Sequence, residues 1–178
     1  MDVDDGRRRI GLDPFAVEAP VDLVRRLRGR LVAPVTVWTA CGPEGRAVGV
    51  TVSSMMVAEG DPALVMGLVG PLTEFWEAAQ ETKRFIVHVL DADATRWADQ
   101  FAGRYPGDPF EGVALTLTAW GPSIDRATVR ARCSLSGFLD AGYQVLVRAV
   151  LDAVEIPADG SPPLVHYRGR YLTTAPRR

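Results

Sequence analysis

Val48, Val50 and Val52 alternate with Gly49, Thr51 and Ser53, and a period of two can be laid into a sheet but not onto a helix. One face of this stretch is apolar and the other is small and hydroxylated. Just past it, Ser53-Ser54 hands over to a turn at Gly60-Asp61-Pro62. Small residues let a flat ligand approach the backbone. Hydroxyls and backbone N–H groups at a strand end can hold an anion, because they donate several hydrogen bonds without adding charge. An ordinary sheet strand followed by a turn accounts for the same residues.

Strand-like and helix-like runs continue along most of the 178 residues, enough for one sizeable core and too few for two ordinary domains. Residues 1–14 hold four acids, three arginines and little that could pack, which predicts a flexible tail ahead of a single domain over 15–178. Twenty basic and 22 acidic side chains leave a net charge of -2, so no global field recruits nucleic acid or an anionic membrane. No apolar run approaches the ~20 residues of a membrane span. Residues 1–10 lack the greasy centre of a signal peptide, and the expected location is the cytoplasm. Cys41 and Cys133 are isolated and read as buried thiols, with no metal site implied. His88 and His166 each sit in an apolar strand-like run, and metal-hydrolase, serine-hydrolase and P-loop signatures are missing.

Val24, Leu27 and Leu31 make one helical stripe opposite Arg25, Arg26, Arg28 and Arg30, which predicts a short helix laid on the core with a solvated basic face. A strand over 31–40 turns at Cys41-Gly42-Pro43-Glu44-Gly45 into the alternating stretch, making a hairpin. Residues 63–69 are continuously apolar and predict a central strand covered on both faces. Leu72, Phe75, Trp76 and Ala79 share a helix face, with Thr73 as N-cap. A strand over 84–90, a second short helix within 91–102, and a loop over 103–109 follow. Strands at 113–118, 127–135, 143–156 and 164–168 complete the chain. Seven or eight strands with two or three inserted helices predict a closed barrel, since closure removes edge strands.

This succession resembles the flavin reductase family, whose fold is an FMN-binding split β-barrel of Greek-key type that usually works as a homodimer. The resemblance is carried by Pro34-Val35-Thr36-Val37-Trp38-Thr39 as first strand and by Gly49-Val50-Thr51-Val52-Ser53-Ser54 with Asp61-Pro62 as flavin turn. Lys83-Arg84-Phe85-Ile86-Val87-His88-Val89-Leu90 and Pro163-Leu164-Val165-His166-Tyr167-Arg168-Gly169-Arg170-Tyr171 complete it. It implies an NAD(P)H-dependent FMN oxidoreductase, with FAD as the other candidate flavin, in the role of reductase component of a two-component monooxygenase.

On that resemblance the phosphate falls to Thr51, Ser53 and Ser54 with Lys83 or Arg84 as cation, and the ring to Trp38, Thr39, Val57 and Ala58, with Phe85 and His88 alongside. Tyr143, His166, Tyr167 and Arg168 are expected on the nicotinamide side. No catalytic acid–base pair is required, because the cofactors carry the hydride transfer. Many members have Asn where His88 stands, Ser where Glu59 stands, and Gly-Asp-His where this chain has Gly142-Tyr143-Gln144. The family associates that last histidine with the nicotinamide, so its replacement bears on turnover more than on flavin binding. The alternatives are therefore a flavin-binding carrier, sensor or interaction module without turnover, or a barrel holding haem or a deazaflavin.

Overall fold

The computed structural model describes residues 22–158 and 161–173; the expected tail over 1–14 lies outside them. The chain opens with α1 (Leu23–Arg28), then β1 (Ala33–Pro34) and β2 (Thr36–Cys41). A 3₁₀ turn at Pro43–Gly45 reverses it into β3 (Ala47–Val52), followed by β4 (Met56–Ala58) and β5 (Leu64–Val69). Next come α2 (Glu74–Thr82), β6 (Arg84–Val89) and α3 (Thr95–Phe101). The rest is strand: β7 (Leu115–Thr118), β8 (Gly121–Ile124), β9 (Val129–Ala141), β10 (Gln144–Glu155), β11 (Leu164–Tyr167) and β12 (Arg170–Thr173). Seven strands form one antiparallel sheet in the order β3-β2-β6-β9-β10-β5-β4, β1-β11-β12 form a smaller one, and β7 and β8 pair as a hairpin.

Two apolar layers sandwich the sheet around β2, whose residues Thr36 to Ala40 are all buried. On one side, Trp38 stacks on Phe85 with centroids 5.1 Å apart, and Phe75 of α2 meets both rings edge-on. Thr73 caps α2 as its sequence predicts, and burying such an aromatic contributes on the order of 1.5–3 kcal/mol. On the other side, Val35, Val37, Leu90, Ile124 and Leu164 pack with Phe101 of α3 and Phe110.

The small face of β3 serves this second layer. A Cβ on Gly49 would sit 2.9 Å from Phe101 Cε1, so glycine there makes room for a phenylalanine ring rather than for a flat ligand. Thr51 donates its hydroxyl to the Ala98 carbonyl at 2.8 Å, tying α3 to the same face.

Several expectations are corrected. Helix α1 buries none of its residues; Val24, Leu27 and Leu31 face outward, because α2 and α3 already cover the two faces of the sheet. Strand β5 is covered on one face only, with Val65, Gly67 and Val69 inward and the residues between them half-buried. Leu72 lies before α2 and is almost fully exposed. Strand β8 went unpredicted, and Cys41 is half-buried where Cys133 is fully so.

The barrel does not close by a backbone ladder. The two ends of the sheet meet instead through side chains: Ser54 Oγ accepts from the Leu68 N–H at 2.8 Å and faces its carbonyl at 3.2 Å, beside Gly67, which packs under Trp38 and Val52.

Candidate functional site

Where β3 ends opposite β5, the seam opens into a cavity of about 830 Å³, within the ~300–1,000 Å³ common for small-molecule sites. Thr51, Val52, Ser53 and Ser54 form one wall with Leu68, and Gln144 at the start of β10 stands beside them. Across from them are His166 of β11 and the turn that joins β11 to β12. That turn has two central residues, Arg168 and Gly169, at φ 50° and 76°, the left-handed geometry that matches the twist of a hairpin. Arg168 holds this conformation without being glycine, and its N–H donates to the Gly29 carbonyl at 2.8 Å. This backbone bond seats the end of α1 on the hairpin and brings the helix to the cavity.

His166 meets Tyr171 edge-on at 5.9 Å. The Tyr171 hydroxyl donates to Asp99 Oδ1 at 2.8 Å, and Arg104 reaches the same oxygen at 2.9 Å. Burial and the Asp99 carboxylate push the Tyr171 phenol up to about 12. Burial, then Arg104 and Arg28, hold His166 below its ordinary value, so the ring is neutral at pH 7.

The cavity is lined by Arg25, Arg26, Arg28, Arg30, Arg104 and Arg168, and, among the described residues, by no carboxylate. Arg104 is paired with Asp99; the other five have no acidic partner among the described residues. A chain with net charge -2 thus concentrates cations at one opening. Such a site favours an anionic ligand with an apolar part, since Val52 and Leu68 lie within it.

The profile of the "Flavin reductase like domain" matches residues 28–175. The chain belongs to the flavin reductase family. It is 29% identical over 172 residues to the NADH:riboflavin 5'-phosphate oxidoreductase of Streptomyces pristinaespiralis, covering 92% of this chain and 94% of that one. It is 28% identical over 155 residues to the reductase component of a 4-nitrophenol 4-monooxygenase/4-nitrocatechol 2-monooxygenase of Rhodococcus opacus, covering 86% and 81%. Among solved structures, it superposes with a TM-score of 0.77 on the NADH:FAD oxidoreductase SgcE6 of Streptomyces globisporus in complex with NAD and FAD fragments. That pair is 26% identical over 89% of this chain and 96% of the other.

In this flavin reductase the residues singled out from sequence divide sharply. Thr51, Ser53, Ser54, His166 and Arg168 come together at the cavity. Trp38, Thr39, Phe85 and His88 are corrected to core residues, fully buried and already partnered. Trp38 donates its indole N–H to Thr36 Oγ1 at 3.0 Å, and Thr39 gives its hydroxyl to the Pro122 carbonyl. His88 bridges the Val37 carbonyl and the Ile124 N–H.

Lys83 and Arg84 do not line the cavity; Lys83 takes the left-handed cap of α2, and Arg84 lies over Trp120. Val57 and Ala58 lie on edge strand β4, and Tyr143 and Tyr167 also stay outside the cavity lining, where Gln144 stands instead. Two of the three hydroxyls are committed to the fold: Thr51 to Ala98 and Ser54 to Leu68. Among the described residues, Ser53 alone of the three has no such engagement.

The arginines of α1, Arg104 and Gln144 are the site residues that sequence reasoning left out. The signal for α1 was present as four arginines in six positions, but a basic helix face is most simply a solvated one. Only the Gly29–Arg168 contact turns it toward a cavity.

Proposed function

We propose that this chain is an NAD(P)H-dependent flavin oxidoreductase that binds FMN or FAD in the cavity at the end of β3. It would act as the reductase component that hands reduced flavin to a monooxygenase. The observation that carries this reading is a hydroxyl-edged apolar cavity lined by guanidiniums, with no carboxylate among the described lining residues. Flavin matches it, having a planar apolar ring and a dianionic phosphate. The flavin, when bound, supplies the acceptor for a nicotinamide hydride.

The protein's own part is placement. Ser53 is free to donate to a phosphate oxygen, and Arg104 and Arg168 stand as cations in the same cavity. Val52 and Leu68 give the ring an apolar seat. His166, neutral at pH 7, offers a hydrogen-bonding group without adding a seventh positive charge. Thr51 and Ser54 fix the wall, so their contribution is shape.

The open seam between β3 and β5 supports a split rather than closed barrel, and the exposed apolar side chains supports its assembly as a homodimer. Among the described residues no helix is long and apolar enough to cross a membrane.

A titration with FMN followed by ring fluorescence tests the site. We expect saturable binding that Ser53→Ala weakens by about 1 to 3 kcal/mol through a lost charge-assisted hydrogen bond. Absent binding of both FMN and FAD would refute the assignment. A second reading, a flavin-binding protein without turnover, is favoured by Gln144 lining the cavity where the family's histidine is expected. Flavin-dependent oxidation of NADH or NADPH excludes it. The haem alternative loses His88, both of whose ring nitrogens are engaged inside the core.

A further inference from the structure

The arginines lining the cavity exceed what one flavin phosphate can use. Arg25, Arg26 and Arg28 lie on α1, and Arg30 follows in the turn that begins at Gly29. All four line the cavity, and none has an acidic partner among the described residues. Like charges so closely spaced on six residues of helix repel one another, and the helix gains no packing in return, since it buries no side chain. What fixes it at the cavity is the Arg168 N–H to Gly29 carbonyl bond. A gathering of unpaired guanidinium forks is stabilised by a polyanion that several of them can grip in pairs of hydrogen bonds.

We infer that α1 and the following turn form a diphosphate subsite, in which Arg25, Arg26, Arg28 and Arg30 hold the pyrophosphate bridge of a dinucleotide whose reactive ring is seated by Val52 and Leu68. This rests on the flavin reductase reading of the same cavity. The subsite is built from other elements than the hydroxyl wall: Ser53 follows β3, whereas the four arginines lie on α1 and in the turn after it. Two ligands of this chemistry visit such an enzyme, FAD and the nicotinamide dinucleotide, whereas FMN carries no diphosphate.

The test compares the wild-type protein with Arg25→Gln/Arg26→Gln/Arg30→Gln, which removes exposed side chains and keeps good helix formers. Arg28 is left in place because it acts on His166. Binding of FMN, FAD, NADH and inorganic pyrophosphate is measured by calorimetry at two salt concentrations, with circular dichroism as a folding check. We expect FMN affinity to change less than threefold, while pyrophosphate and at least one dinucleotide lose tenfold or more, with a shallower salt dependence. Loss confined to FAD assigns the subsite to the flavin, loss confined to NADH assigns it to the nicotinamide dinucleotide, and loss of both assigns it to each in turn. Unchanged binding of all four ligands would overturn the subsite, as would an FMN loss equal to that of the dinucleotides, which would mark a diffuse field. A wild-type protein that takes neither flavin would end the flavin reading, yet pyrophosphate binding and its response to the variant would still decide the subsite.

Discussion

A histidine sealed in a core must choose one tautomer, and His88 has its choice made by the backbone. The Ile124 N–H donates to Nε2 at 3.0 Å, so the ring proton sits on Nδ1, which donates to the Val37 carbonyl at 3.1 Å. A second proton has no acceptor, and burial, reinforced by Arg130 against the opposing pull of the Val37 carbonyl, holds the pKa down to about 4. The unfolded chain would titrate near ~6.5. Between those values the unfolded state binds the extra proton and the native state does not, so stability is complete above the unfolded value and is lost as pH falls toward 4. At about 1.4 kcal/mol per unit, the shift from 6.5 to about 4 corresponds to roughly 3 kcal/mol. Urea unfolding at pH 7 and pH 4.5 should show about two thirds of that loss, superimposed on the carboxylate titrations. His88→Leu should be less stable at pH 7, because it strands one carbonyl and one N–H, yet show a flatter pH profile. A variant with an unaltered profile would place the acid sensitivity elsewhere. Sequence could say that His88 lies in a strand, but its two partners are 51 and 36 positions away, beyond the reach of periodicity.

At the scale of elements, what could be read locally was read well. Thr73 caps α2, β2 and β3 form the expected hairpin, and the strand over 84–90 is β6, because each depends on residues within a few positions. What failed depended on which surface covers which. The glycine and hydroxyl face of β3 looked like a ligand berth, and its tip does line the cavity; its middle instead receives Phe101 and Phe110. Gly49→Ala isolates that role. Its Cβ would meet Phe101 Cε1 at 2.9 Å and Phe110 Cζ at 3.2 Å, rings that already contact each other edge-on at 4.8 Å and have little space to yield. Overpacking of this kind costs about 1 to 3 kcal/mol, so the urea midpoint should drop while ligand affinity, governed by the strand end, should hold. A methyl group tolerated without loss would mean that α3 can shift, and that the Thr51–Ala98 bond is not what fixes the cavity wall.

At the scale of the whole molecule, the sheet register gathers apolar side chains on one outer face. Leu68 of β5 is opposite Leu146 of β10, which is opposite Leu139 of β9, and Met56 of β4 is opposite Met66 of β5. Cross-strand partners share a face, so these five residues lie on the same side of the sheet, opposite Val65, Gly67, Val147 and Ala149, which are buried. Met56 and Leu139 are more than half exposed, while Met66, Leu68 and Leu146 are half-buried. An apolar sheet face of this kind marks an interaction surface, and Leu68 extends it to the cavity wall. If a second copy covers it, the cavity gains a lid on its open side and the flavin ring loses contact with water. Sedimentation equilibrium should then give twice the 19.3 kDa chain mass. Leu139→Asp should yield a folded monomer, since its side chain is more than half exposed before assembly, with FMN affinity reduced tenfold or more. A monomeric wild type with full flavin affinity would mean that the face is covered by another partner, and that the cavity needs no neighbour to work.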